Sequence, residues 1–230
     1  NHEESEGSSM HIIDELGLNP IIIPEMQRAI NPKKDRIALK KIQQLIADFK
    51  PDIVHTHASK AGALGRKAAH KAGVAQIYHT FHGHVFHSYF GTLKTNLYKK
   101  IERNLAKKST KIIAISEIQK KELSEVHQIC PANKIVVIPL GFDLARFYTN
   151  KEEKRINFRK EWNINDDEIA IGIIGRIVPI KDHTFFVNVI EKVLQKTSQK
   201  IRVFIVGDGE ERVNIQALIS QKKLSSYANW

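Results

Sequence analysis

Two rhythms of apolar and polar residues alternate along the chain. Short β-branched runs at 20–23, 52–55, 76–79, 111–115, 134–138, 169–174 and 201–206 predict strands. Some are almost continuously apolar, such as Ile112-Ile113-Ala114-Ile115 and Ile171-Gly172-Ile173-Ile174. Such runs suit strands of a parallel sheet with helices packed above and below. Helical periodicity fills the gaps. Residues 36–49 set Leu39, Ile42, Leu45, Ile46 and Phe49 on one stripe, with Asp35 placed to cap the start and Pro51 beyond the end. Residues 182–197 repeat the pattern with Phe186, Val189, Ile190 and Val193 behind a capping Asp182. Residues 92–108 align Leu93, Leu97, Ile101 and Leu105, and a further helix is expected at 9–16.

Repeated β-α-β units predict an α/β fold of doubly wound parallel sheets with right-handed crossovers. The rhythm breaks at 139–150, where a strand exit is followed by a charged stretch. Two Rossmann-like domains follow from this, at 1–148 and 149–230. The first is expected to lack its first strand. The second shows two strands in the pattern, too few to bury a core alone, and is expected to be truncated.

Composition narrows the class. The 230 residues are 42% apolar and 27% charged, which is globular. No apolar run nears the roughly 20 residues of a membrane span, and no secretory-signal pattern is found. Cys130 is the sole cysteine, expected as a small packed residue in a reducing cytosol. The net charge of +11 favours phosphate-bearing partners. Lysines are spread over most predicted helices rather than gathered in one groove, so nucleic acid is not expected. Lys94, Lys99, Lys100, Arg103, Lys107 and Lys108 make 92–108 basic as well as amphipathic, and the aromatic Val85-Phe86-His87-Ser88-Tyr89-Phe90 precedes it. Two readings stand: a core-facing helix with a solvated basic face, or one that lies on an anionic membrane.

Ligands of open parallel sheets bind beyond the carboxyl ends of the strands. Small and polar residues gather there: His55-Thr56-His57-Ala58-Ser59-Lys60, His79-Thr80-Phe81-His82-Gly83-His84, Ser116-Glu117, Gly175-Arg176 with Lys181 beyond, and Gly207-Asp208-Gly209. Gly175, Arg176 and Lys181 suit a diphosphate. Glycine admits the ligand to the backbone, arginine forks onto phosphate oxygens and lysine adds a point charge. A turn carrying two solvated cations fits the spacing equally well. Gly207 and Gly209 suit a close backbone approach or a plain tight turn. His55 and His57 share a strand face. No Asp or Glu lies between Ile53 and Lys100, which favours a hydrogen-bonding role over a metal site. His55, His79 and His87 read as packed or exposed bystanders.

The run from Pro51 to Gly62, then His79 to His84, then Ile138-Pro139-Leu140-Gly141-Phe142-Asp143, then Gly175-Arg176 through Lys181, resembles bacterial glycosyltransferase family 4 in order and spacing over nearly the whole chain. The resemblance implies a GT-B fold, with an acceptor-side domain and a nucleotide-sugar domain across a cleft. It implies sugar transfer with retention of configuration and no catalytic metal or other cofactor. Arg176 and Lys181 would bind the donor diphosphate, and His82 would hydrogen-bond the reacting sugar. His57, Ser59 and Lys60 would line the acceptor side, and Ser116 would lie at the cleft floor. The implied partners are a nucleotide sugar and a glycan or lipid-linked acceptor of cell-surface polysaccharide synthesis, in the cytoplasm or on the inner face of the membrane. Two family features are missing: a glycine-rich loop after the first strand, and a late pair of glutamates that grips the donor. Without that pair the polypeptide is expected to be inactive alone. A nucleotide-sugar epimerase of similar fold and a non-catalytic basic binding module remain as alternatives.

Overall fold

The computed structural model describes residues 10–27, 29–83 and 91–230. They divide into two compact units that separate between Phe142 and Asp143.

The first unit runs through α1 (Met10–Glu15), α2 (Pro32–Phe49), β1 (Ile53–His57), α3 (Ser59–Lys71), β2 (Gln76–Phe81), α4 (Thr92–Lys108), β3 (Lys111–Ala114), α5 (Glu117–Lys121) and β4 (Ile135–Val137). Its four strands are parallel and lie in sequence order. Right-handed crossovers that always step the same way put α3, α4 and α5 on one face of the sheet. Burial follows: Ile112 and Ala114 of β3 are fully enclosed, whereas Lys111 and Ile113 are only half-buried. Among the described residues this sheet is therefore covered on one face, and the apolar run at 112–115 is packed on that face only. The core joins Phe81, Ala106, Ile112, Ala114, Leu123 and Ile135, and takes in Cys130 as a packed residue.

Three expectations change here. Residues 20–23 form no strand, and Ile21 and Ile22 stay exposed. Apolar β-branched residues need a neighbouring ladder, and among the described residues none runs beside them. Helix α2 begins at Pro32, and its cap is Asn31, whose side chain accepts from the Lys34 amide. Asp35 instead reaches back to accept the Asn31 amide at 3.2 Å, so the two side chains between them satisfy the Lys34 and Asn31 amides. Asn followed by Pro is the start signal that places the cap correctly.

The third change concerns α4. Its buried face is Glu102, Leu105 and Ala106, with Tyr98 packed on the core. Leu93, Leu97 and Ile101 remain exposed. Glu102 turns inward because Arg66 of α3, itself fully buried, donates from Nη2 to both carboxylate oxygens at 2.8 and 3.1 Å. Arg66 Nε also donates to the Gly62 carbonyl at 3.0 Å. Burial pushes the Glu102 carboxyl up against the opposing pull of Arg66.

The second unit comprises α6 (Ala145–Tyr148), α7 (Lys151–Glu161), β5 (Glu168–Ile174), α8 (His183–Lys196), β6 (Lys200–Val206), α9 (Arg212–Gln221) and β7 (Ala228–Asn229). Its three strands are parallel in the order β5-β6-β7. The pattern had shown two; β7 is too short to leave a periodic signal. Ile201, Val203 and Ile205 of β6 pack with Val187 and Ile190 of α8 and Ile215 and Ile219 of α9. On the opposite face Phe204 meets Phe158 of α7 at 5.2 Å and Trp162 at 5.4 Å between ring centroids. Strand β6 is thus buried on both faces, as its unbroken apolar run requires. Asp182 caps α8 by accepting from the Phe185 amide. The α8 stripe is Phe186, Val187, Ile190 and Val193, while Val189 is turned outward.

Breaking the buried Arg66–Glu102 pair by Glu102→Ala alone should cost about 3–5 kcal/mol, because an unpaired cation is left in the core. Replacing both partners, Arg66→Met with Glu102→Leu, should recover most of that loss. Urea unfolding of the three proteins checks both outcomes.

Candidate functional site

All strands of each sheet point the same way, so their carboxyl ends line one edge. In the first unit, β1 ends at His57, β2 leads into His82, and Ser116 follows β3. The register pairs Thr56 with His79 and His57 with Thr80. With side chains alternating along each strand, Thr56, His79 and Phe81 face the α3 side, and His55, His57 and Thr80 face the other. His82 is two residues beyond Thr80.

The α3 side is tightly filled. His79 is almost fully buried, and its Nδ1 lies 2.9 Å from the Thr56 hydroxyl. That hydroxyl donates to the Tyr78 carbonyl at 3.1 Å, so it accepts from His79 and fixes the Nδ1–H tautomer. A Cβ on Gly62 would stand 2.4 Å from His79 Cε1, and one on Gly65 would stand 2.8 Å from Thr56 Cγ2. The two glycines let α3 approach the sheet closely enough to enclose this pair. Paired glycines one turn apart inside a helical pattern were the available signal for it. Burial, and then the positive charge of Arg66, lower the His79 pKa to about 3.

The other side carries the open histidines. His57 Nδ1 lies 2.9 Å from His82 Nε2, and His55 Nε2 lies 2.8 Å from Thr80 Oγ1. The His55 and His57 rings are 4.3 Å apart. Partial burial, followed by the charges of His55 and His82, holds His57 below the usual imidazole value. Ala58, directly after His57, has φ 60° and ψ 164°, a region that only glycine visits readily. The chain therefore leaves β1 under strain at the residue that aims His57.

The other expected residues divide. Ser59 is exposed at the first position of α3. Lys60 pairs with Asp35 of α2 and donates to the Ala29 carbonyl, so its ammonium ties α2 to α3. Ser116 caps α5 by accepting from the Gln119 amide at 3.1 Å. His84 and the aromatic 85–90 segment, His87 included, lie outside the described residues. Among the described residues no group of three His, Cys, Asp or Glu side chains is arranged to hold a metal.

In the second unit, Gly175, Arg176 and Lys181 lie in the loop that follows β5, and Arg176 and Lys181 are exposed. Residues Pro179–Lys181 form a single 3-10 turn before Asp182 opens α8. Gly207 and Gly209 follow β6. Added Cβ atoms there would stand 2.0 Å from the Gly175 carbonyl oxygen and 2.3 Å from that of Ile177. The backbone approach these glycines permit is therefore to the neighbouring loop. The Ile177 amide donates to the Asp208 carbonyl at 2.9 Å, and the Glu211 amide to the Ile177 carbonyl at 3.0 Å. This lacing holds the Arg176 loop in place at the carboxyl edge.

Two parallel sheets with polar loops at their carboxyl edges, one laced beneath a pair of cations, define an α/β protein of the GT-B type. Residues 8–146 match the Glycosyltransferase Family 4 model, and residues 154–230 match Glycosyl transferases group 1. The chain belongs to Glycosyltransferase Family 4. It is 33% identical over 215 residues to the UDP-Gal:alpha-D-GlcNAc-diphosphoundecaprenol alpha-1,3-galactosyltransferase of Escherichia coli, covering 90% of this chain and 54% of that protein. Among solved structures, a glycosyltransferase from Rickettsia africae ESF-5 superposes with a TM-score of 0.71 at 23% identity, covering 97% of this chain and 57% of the other. HepE from Anabaena, solved with UDP and glucose, gives 0.74 at 15% identity, covering 97% and 58%. The chain thus spans little more than half the length of these relatives.

The buried His79 sets a pH dependence. Between its ordinary value of 6.5 and about 3, the unfolded chain binds a proton that the folded chain refuses. Stability is fully present above the ordinary value and is lost as pH falls. The contribution of this one group is ~1.4 kcal/mol per pH unit across the middle of that window. His79→Asn should show a shallower decline by that amount. Urea midpoints at neutral and mildly acid pH compare the two.

Proposed function

We propose that this chain serves a retaining glycosyltransferase that moves a hexosyl group from a nucleotide-diphosphate sugar to a glycan or lipid-linked acceptor in cell-surface polysaccharide synthesis. The observation that carries the reading is the laced loop after β5, which presents Arg176 and Lys181 at the carboxyl edge of the second sheet. Departure of a nucleoside diphosphate builds negative charge on the leaving oxygens. An arginine fork and a lysine point charge answer that charge without a metal ion. A uridine donor is supported by the UDP-Gal used by the Escherichia coli relative, and a lipid-linked acceptor by its diphosphoundecaprenol substrate. In this reading His82 hydrogen-bonds the transferred sugar. His57 and Ser59 stand on the acceptor side.

The acceptor class also gives α4 a role. No described helix is long and apolar enough to cross a membrane. Leu93 and Leu97, 87% and 57% exposed, instead form an apolar strip beside Lys94 and Lys100. An anionic bilayer matches that combination of apolar contact and positive charge. The protein then works at the cytoplasmic surface, where a lipid-linked acceptor is reached.

In the complete protein, Arg176→Ala and Lys181→Ala should each lower transfer by roughly a hundred- to a thousandfold, the usual effect of removing a group that stabilises developing charge. Chelator should leave turnover unchanged, and donor incubated without acceptor should come back unepimerised. Product analysis by mass spectrometry and chromatography reads all three, and unchanged transfer in the double variant would overturn the diphosphate assignment. Leu93→Asp with Leu97→Asp should abolish co-sedimentation with phosphatidylglycerol vesicles. Binding that survives this change would remove α4 from the membrane reading.

A further inference from the structure

His57 ends β1 and His82 directly follows β2, and their rings meet edge to edge. The Nδ1–Nε2 distance is 2.9 Å, the ring planes are 27° apart, and the centroids are 5.2 Å apart. That separation matches two ring radii plus one hydrogen bond, so the contact is an in-plane N–H···N bond rather than a stack. Such a bond needs one proton between two nitrogens: one ring donates and the other accepts. The choice reaches the far side of each ring. If His57 Nδ1–H donates, His82 accepts at Nε2 and carries its own proton on Nδ1. If His82 Nε2–H donates, its Nδ1 is a bare lone pair.

Two features favour the second arrangement. It puts both rings in the Nε2–H tautomer, the form a neutral imidazole prefers in water, whereas the first puts both in the minor form. Among the described residues, the charges that act on His57 are those of His55 and His82, with no carboxylate to impose the opposite order. Among the described residues, the ionisable groups that act on or meet His57 are His55, 4.3 Å away on the same strand, His82 itself and the neutral, buried His79 of β2. None draws a proton onto His57 Nδ1. The position of His57 is set from behind: its register partner Thr80 is bonded to His55, and the strained Ala58 follows it in the chain.

We propose that His57 is a positioning residue for His82: by accepting the Nε2 proton at its own Nδ1, it fixes the His82 ring and presents His82 Nδ1 as a hydrogen-bond acceptor for a sugar hydroxyl. The assignment rests on the reading of His82 as the group that meets the transferred sugar. It specifies what that group offers, a lone pair rather than a proton. The ligand hydroxyl must then be a donor, and the hydrogen bond is lost when His82 takes up a second proton. The pair holds at most one extra proton while the bond persists, because two imidazolium rings would each have only donors to offer.

Ring nitrogen NMR of the 230-residue chain tests the pairing without any activity. The expected spectrum shows His82 with its proton on Nε2 and a bare Nδ1, and a scalar coupling across the bond to His57. A proton on His82 Nδ1 would overturn the proposal outright. In His57→Phe the tautomers of His82 should mix, because no partner remains to accept the Nε2 proton. In His57→Asn, whose Oδ1 is bonded to Cγ as Nδ1 is and can accept in its place, the Nε2–H form should return. A His82 spectrum indifferent to both variants also overturns the proposal. In transfer assays of the complete protein, His57→Phe should lower kcat roughly 10- to 100-fold with little change in donor KM, the scale of a misplaced catalytic contact, and His57→Asn should restore part of it. The two premises fail separately. If the spectra behave as expected but His82→Ala transfers at the full rate, the sugar-contact reading falls while the pairing stands.

Discussion

The packing of α3 onto the first sheet depends on two missing side chains. Gly62 and Gly65 bring the helix backbone close enough for His79 and Thr56 to be enclosed beneath it. That approach also buries Arg66 completely, and a buried guanidinium obliges a partner. Glu102 supplies it from α4, so α3 and α4 are held together by charge as well as by apolar contact. The same closeness keeps His79 neutral, because a second cation beside Arg66 would face both repulsion and desolvation. A strand pair with its buried face locked in this way can hold the opposite face steady, where His55, His57 and His82 stand.

The second unit solves a similar problem by lacing backbone to backbone. Gly207 and Gly209 let the loop after β6 lie directly against the loop after β5, and main-chain hydrogen bonds join the two. Helix α8, capped by Asp182, follows at once. Loops at a sheet edge are ordinarily the mobile part of an α/β protein. Here the residues beneath the exposed cations are pinned by neighbours that no side chain could displace. In both units, then, glycine serves the protein's own close contacts, and charged or imidazole side chains are left at the edge for chemistry.

Several elements were legible from pattern alone. Strands at 76–79, 111–115, 169–174 and 201–206, the cap at Asp182 and the shared face of His55 and His57 all follow from period, capping chemistry and alternation, which are local properties. The miss at 20–23 has a simple cause: an apolar run is a strand only if another strand lies beside it. The misplaced cap of α2 arose from weighing Asp35 without the Asn31-Pro32 pair before it. The stripe on α4 failed for a deeper reason. Leu93, Leu97 and Ile101 share one period with Leu105, yet only Leu105 is buried, and a glutamate reads as solvent-facing until its arginine is known.

The sequence by itself determined the kind of sheet, the order of its elements and the edge at which polar residues collect. Each of these is carried by residues near one another in the chain. The tertiary structure alone decided that Arg66 meets Glu102, that Lys60 is occupied by Asp35, and that His57 reaches His82. Those pairings join residues on different elements. Their partners are chosen by strand register and by the depth of helix approach, neither of which leaves a periodic trace in the chain.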